Sequence, residues 1–290
     1  MIENYLDKTL NILTDIIYLF FALVLKILSL INLELDSYLP KKKNTIIICN
    51  GPSLTESIDL IRKKRKSSDI YVTHYFARYE LFLELKPEFY VFVDSLFWRE
   101  DVHPHYKKEN EKLFDILEKI TWKMVIIVPS NGLKILRKRI KNKNITFKNI
   151  IYFSRNFNSE SLTLFCLKKK LISPICSSAA ILALWHAILS ERKKIFLFGI
   201  DFSQFKEFSV NQITNEITLE NTHFYKNSEA ENSINKRKKF QRFQLHMSLY
   251  KISVSFYQMY LLSRLAFIKK IKVINGSRNS YLNYFPRLKK

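Results

Sequence analysis

From residue 44 onward, apolar residues fall in short continuous runs separated by amphipathic stretches. The runs are 45–49 (TIIIC), 70–73, 89–93 (FYVFV), 123–128 (KMVIIV), 150–153, 195–198 (IFLF) and 271–274. Continuous apolar character, without alternation, predicts strands buried on both faces, and the helical spacing between them predicts crossover helices. The expected fold class is therefore α/β, a mostly parallel sheet with helices on both faces. Residues 177–189 (SSAAILALWHAIL) predict a buried helix opened by a serine cap. Two later segments differ. Residues 202–235 are polar and weakly periodic, as expected of a lid or a disordered loop. Residues 236–269 predict an aromatic-rich helix that covers the sheet or the lid.

The N-terminal segment obeys another pattern. Residues 16–33 (IIYLFFALVLKILSLINL) are nearly apolar, interrupted by Lys26, and come close to the ~20 residues of a spanning helix. Glu3, Asp7 and Asp15 stand against Lys8 before it, and no small-x-small site succeeds it, which argues against a cleaved signal. An interfacial or short spanning anchor is the leading reading, with a helix packed on the soluble domain as its rival. Lys26 favours the interface, where a lysine can snorkel. If the helix spans, the cluster Lys41, Lys42 and Lys43 puts the rest of the chain on the cytoplasmic side. The expected organisation is a membrane-associated helix with a basic flank over 1–43 and a domain over 44–290, with its lid at about 202–235.

Composition narrows the partners. The chain has 290 residues, 48 basic and 26 acidic, so its formal charge is +22. A hydrophobic fraction of 47% excludes a disordered basic tail. Cys49, Cys166 and Cys176 form no CxxC and no even framework, which fits a reducing compartment. The charge leaves nucleic acid, an anionic membrane surface and a phosphorylated substrate as partners. Basic residues spread over helix faces without a nucleic-acid motif, so no nucleic acid is expected.

In open α/β sheets, ligands bind beyond the carboxyl ends of the strands. Asn50, Gly51, Pro52 and Ser53 come after the first strand and precede a helix. Gly51 allows close approach of a ligand, and the helix start is expected to offer free N–H groups to an anion. The tetrapeptide meets neither the GxGxxG nor the Walker A pattern. Ser177 and Ser178 either bind an anion or cap their helix. Asp94, and Asp201 after Gly199, each end an apolar strand, where an aspartate either holds a ribose or base or fixes a loop. Neither belongs to a DxD pair, so no metal is expected. His103 and His105 flank Pro104 with a spacing that suits a loop. In the lid, His223 and Tyr225 are candidate acid/base or phosphate-contact groups.

Taken together, a strand into NGPSL, a Ser-Ser helix, a strand into GIDF, a lid with NTHF and a closing strand into NGS resemble the bacterial sialyltransferases of the Campylobacter and Haemophilus type. The likeness runs over roughly 44–285 and extends to relatives in surface-polysaccharide clusters. It implies a Rossmann-like sheet with a lid and no cofactor. It also implies metal-independent, inverting transfer of a sialic acid from a CMP donor to a sugar hydroxyl. By position, Asn50, Gly51 and Ser53 would line the CMP site. His74 and Asp94 stand where that family has asparagines, and Ser177 and Ser178 match a Thr-Ser pair that holds the sugar carboxylate. Two positions depart: Ser203 replaces a tyrosine at the leaving phosphate, and Asn227 replaces the general-base histidine, four positions after His223.

The resemblance therefore predicts a glycosyltransferase at the cytoplasmic face of the inner membrane. Its partners would be a CMP-activated acidic sugar and a glycolipid or oligosaccharide acceptor, such as lipopolysaccharide or capsule. Whether it forms a homo-oligomer is left open. One alternative is a flagellin-glycosylation accessory or pterin diphosphokinase-like protein of the same fold. Another is a non-catalytic membrane-bound scaffold.

Overall fold

The computed structural model describes residues 2–30, 42–149, 153–206, 208–215, 217–219 and 245–288. Its centre is a seven-stranded, all-parallel sheet. The strands are β1 (Asn44–Ile48), β2 (Ser68–Thr73), β3 (Phe89–Val91), β4 (Met124–Ile127), β5 (Ile145–Lys148), β6 (Lys194–Phe198) and β9 (Lys272–Asn275). Between the last two lies a short antiparallel hairpin, β7 (Phe208–Val210) and β8 (Ile217–Leu219). The order across the sheet is β5-β4-β3-β2-β1-β6-β9.

Alternate residues of each strand feed opposite cores, as the pleat requires. Ile47, Tyr71 and Leu197 point to one face, under α6 (Glu160–Lys168), α7 (Ala179–Leu189) and α8 (Leu245–Ile268). Ile46, Ile48, Val72 and Phe198 point to the other. There they meet α2 (Ile58–Lys64), α3 (Glu80–Leu85), α4 (Pro104–Glu118) and α5 (Ser130–Arg139). Helix α7 is buried from Ala179 to Ile188, which explains its lack of a polar stripe.

The strand expected at 150–153 falls largely outside the described residues, since 150–152 are not among them. The fifth strand is Ile145–Lys148. It pairs only with β4 and is buried only at Ile145. An edge strand needs no continuous apolar run, so its sequence, ITFK, did not signal it.

The amino-terminal edge of the sheet holds a buried ion cluster. Asp69, fully buried, pairs with Arg192 at 2.8 Å and accepts the Lys42 amide at 3.0 Å. Glu88 accepts the Ile70 amide at 2.9 Å and pairs with Arg65 and Lys42 at 2.9 and 3.2 Å. Burial pushes the Asp69 carboxyl above its ordinary range, while Arg192 opposes that shift. The cluster lies opposite the ligand edge, so its role is to tie the starts of β1, β2, β3 and β6 together.

Helix α1 (Ile2–Leu30) docks on this domain along one narrow side. Asp15 accepts the amides of Asn158 and Ser159 at 2.9 and 3.2 Å, just before α6. Tyr18 stacks on Phe153 and lies under the Arg155 guanidinium, and Ala22 is fully buried.

Candidate functional site at the switch point

The chain lays down β1 to β5 in one direction, then returns to place β6 and β9 on the other side of β1. The order of strands thus reverses between β1 and β6, and the crevice opens at their carboxyl ends. The registers Ile48↔Val72 and Ile48↔Phe198 bring Asn50 level with His74 on one side and Ile200 on the other. Helix α7 leads into the amino end of β6, so its own first turn, with Ser177 and Ser178, lies toward the carboxyl edge. Residues separated by up to 150 positions therefore share one edge.

The turn after β1 is clamped to the turn after β6. Gly51 N–H donates to the Gly199 carbonyl at 2.8 Å. The Ser53 amide donates to Asp201 Oδ2 at 2.9 Å, and the Ser53 hydroxyl donates to Asp201 Oδ1. Both side chains are buried. A Cβ at Gly51 would stand 2.6 Å from both Asp201 Oδ2 and the Gly199 carbonyl, so no larger residue fits this approach. Gly199 has φ +64 and packs against the Cys49 carbonyl, which likewise demands glycine.

This geometry corrects the expectation of free N–H groups in the first turn. The segment starts as a 3₁₀ helix, Pro52–Ser57. Pro52 carries no N–H, Ser53 donates to Asp201, and Leu54 donates to the Gly51 carbonyl at 3.0 Å. An aspartate accepting at a helix start takes the place that an anion would occupy. In this turn, Asn50 is left unmatched. It is 7% exposed, and its Oδ1 is buried without a hydrogen-bond partner. A buried acceptor in that state costs ~1–3 kcal/mol, and it lies at the ligand edge of the switch point.

Neighbouring residues show the strain typical of functional edges. His74 (φ 52) and Phe202 (φ 54) are left-handed without being glycine. Burial holds the His74 imidazole below its ordinary pKa, with Asp94 pulling the other way. Asp94 is exposed and caps a short turn by accepting the Leu96 amide at 2.9 Å. Ser178 caps α7, accepting the Ala180 amide at 3.3 Å, while the Ser177 hydroxyl meets that of Ser255 at 2.7 Å. The Cys49 thiol is pushed up to about 12 by burial, so it is no nucleophile near neutral pH. His103 caps α4, accepting the His105 amide at 3.2 Å. His223 and Tyr225 lie outside the described residues, as does the expected lid beyond β8.

Of the groups that shape this edge, Asn275 and Ser277 entered only as the NGS after the closing strand, and Gln258 and Phe205 were not singled out. Ser277 Oγ accepts the Ile200 amide at 2.9 Å, and Asn275 Oδ1 accepts the Ser277 amide at 3.0 Å. Fully buried Gln258 bridges Asn156 and the Ile175 amide at 3.0 and 3.2 Å. Phe202 and Phe205 pack on Phe256, and Phe205 also packs on Tyr281. The only available signal was the repeated Asn-Gly after two different strands, at Asn50 and at Asn275.

No protein-family model matches the chain, and no curated protein matches it. Among solved structures, it is similar to the MAf glycosyltransferase from Magnetospirillum magneticum AMB-1, at 12% identity and a TM-score of 0.45. The similarity covers 87% of this chain and 34% of that one. The chain thus spans about a third of that structure, and its site has to be read from its own residues.

Proposed function

We propose that the chain is a metal-independent, inverting glycosyltransferase. It would move a sialic acid or related acidic sugar from a CMP donor to a cell-surface glycolipid or polysaccharide, at the cytoplasmic face of the inner membrane. The observation that carries this reading is the unpartnered, buried Oδ1 of Asn50 beside a clamped Gly-Pro-Ser turn at the switch point. A buried acceptor there suits a donor group of a nucleoside, such as a ribose hydroxyl or the cytosine amine. The choice of cytidine and of an acidic sugar comes from the resemblance of the strand-end motifs to the sialyltransferases.

In this reading, Asn50, Gly51, Pro52, Ser53, Gly199 and Asp201 form the donor cradle. Ser53 and Asp201 act by holding its shape, since their polar atoms are paired with each other. His74 and Asp94 flank the nucleotide, and Ser177 and Ser178 face the sugar carboxylate. His223 and Tyr225 supply the proton chemistry at the acceptor hydroxyl. Such general-base help is worth ~10²–10⁴-fold in rate. A lid that closes over the donor would keep water from hydrolysing it.

The test is ligand-dependent thermal stabilisation with CMP, AMP, GMP and UMP, with and without Mg²⁺. CMP alone should raise the melting temperature, and Mg²⁺ should not alter the shift. Stabilisation by a purine nucleotide that requires Mg²⁺ would move the chain to the pterin diphosphokinase-like alternative. No response to any of the four would remove the nucleotide reading.

A further inference from the structure

Helix α1 is apolar on the sides that the domain leaves uncovered. Eleven large apolar side chains between Leu10 and Ile27 are 37–64% exposed. Residues 9–27 form one helix long and apolar enough to cross a membrane, and only 11% of that window is buried. A core helix of a soluble domain would be mostly covered, as α7 is. A helix hydrophobic all round belongs in a core or in lipid.

The docked side decides how lipid is met. Asn11, Asp15, Tyr18, Ala22 and Lys26 recur at three- and four-residue steps and so share one side. The Asn11 carbonyl and Asp15 bond to Asn158, Tyr18 packs on Phe153 and Arg155, and Ala22 is buried in the core; Lys26, further along the same side, lies near the like-charged Lys170. These contacts run from Asn11 to Ala22, ~17 Å of helix at about 1.5 Å per residue. A spanning α1 would drag this wall of the domain, with Asn158, Arg155 and Lys170, through the hydrocarbon. Lying in the plane of the surface, the helix buries its free sides while the domain occupies the side that normally faces water.

Charge complementarity selects the occupant. Lys168, Lys169 and Lys170 are exposed, Lys170 lies near Lys26 of α1, and the chain carries +22 overall. A second copy would bring the same positive charge, whereas an anionic bilayer attracts it. We infer that α1 is an in-plane membrane-docking helix, latched to the domain through Asp15, that beds its exposed apolar side in one leaflet of an anionic bilayer. This stands apart from the donor reading, since it uses no residue of the switch point.

The experiment is flotation of the full-length chain with vesicles of pure phosphatidylcholine or of 3:1 phosphatidylcholine:phosphatidylglycerol. Binding should favour the anionic vesicles, and Phe20→Glu should lower it by at least ~10-fold without changing the CMP response. Nitroxide labels at Leu13→Cys, Phe20→Cys and Ile27→Cys then report depth, because seven-residue steps keep one side of the helix. Equal, shallow depths support the inference. A steady depth change of roughly 10 Å per step would mean a spanning helix and overturn it. Failure to bind either vesicle would also overturn it, and a concentration-dependent dimer abolished by Phe20→Glu would then name a second copy as the occupant.

Discussion

The clamp between Asp201 and Ser53 makes a quantitative demand. Asp201 is 5% exposed and Ser53 is 3% exposed, and one carboxylate accepts both the amide and the hydroxyl of that serine. Asp201→Ala would strand two buried donors at ~1–3 kcal/mol each, a loss of ~2–6 kcal/mol. Against a typical domain stability of ~5–15 kcal/mol, that variant would be severely weakened. Asp201→Asn keeps the shape but replaces a charged acceptor with a neutral one, at roughly 1–2 kcal/mol. If the two side chains act as a unit, Ser53→Ala and Asp201→Asn will not add, and their coupling should lie near ~0.5–3 kcal/mol. Urea unfolding of the four proteins measures this, provided the slope stays constant so that midpoints report stability. Additivity within ~0.5 kcal/mol, or an Asp201→Ala loss below ~1 kcal/mol, would refute the clamp. In the folded Asp201→Asn variant, stabilisation by CMP should also shrink, because the turn that shapes the cradle is no longer held.

The same structure sets three further outcomes, and the proposed chemistry a fourth. Gly199→Ala should destabilise by more than ~1 kcal/mol, since φ is +64 and the new Cβ meets the Cys49 carbonyl; urea midpoints report it. Arg192→Leu should cost ~3–5 kcal/mol by leaving Asp69 charged and buried, and adding Asp69→Asn should recover part of that loss in the same assay. His186 is held down to about 3 by burial, with Lys148, Lys170 and Arg192 adding to the shift. The unfolded chain binds that proton below about 6.5 and the folded chain does not, so this contribution is full above 6.5 and falls toward pH 3 by ~1.4 kcal/mol per unit. His186→Phe should flatten the stability curve between pH 6 and 4 relative to wild type, and identical slopes would refute the assignment. His223→Ala should lower transfer at least ~10²-fold with CMP binding retained, whereas unchanged turnover in a donor-release assay would take His223 out of the mechanism.

The places and class of most strands were legible because parallel strands buried on both faces leave unbroken apolar runs. The runs at 45–49, 89–93 and 195–198 became β1, β3 and β6, and 177–189 became the buried α7 with Ser178 as its cap. The edge strand β5 was not legible, since a half-exposed strand needs only Ile145 to be apolar. The strand-end residues Asn50, Gly51, Gly199 and Asp201 were also visible, because each interrupts an apolar run.

What those residues do to one another was decided by the fold. Ser53 and Asp201 lie 148 positions apart, and only the β1–β6 pairing brings them together. That pairing turned an expected anion nest into a closed clamp and left Asn50 unmatched in that turn. Nothing in the sequence marked Asp69 and Arg192, yet the sheet buries them as a pair. In the N-terminal helix, the length and apolar character of residues 9–27 were written in the sequence, and they raised the question of a membrane. The inference that it lies flat rests on Asp15, whose bonds at Asn158 and Ser159 no periodicity could foretell. Local sequence carries propensity and burial, which act over a few residues; a buried polar group finds its partner only when the topology closes the distance.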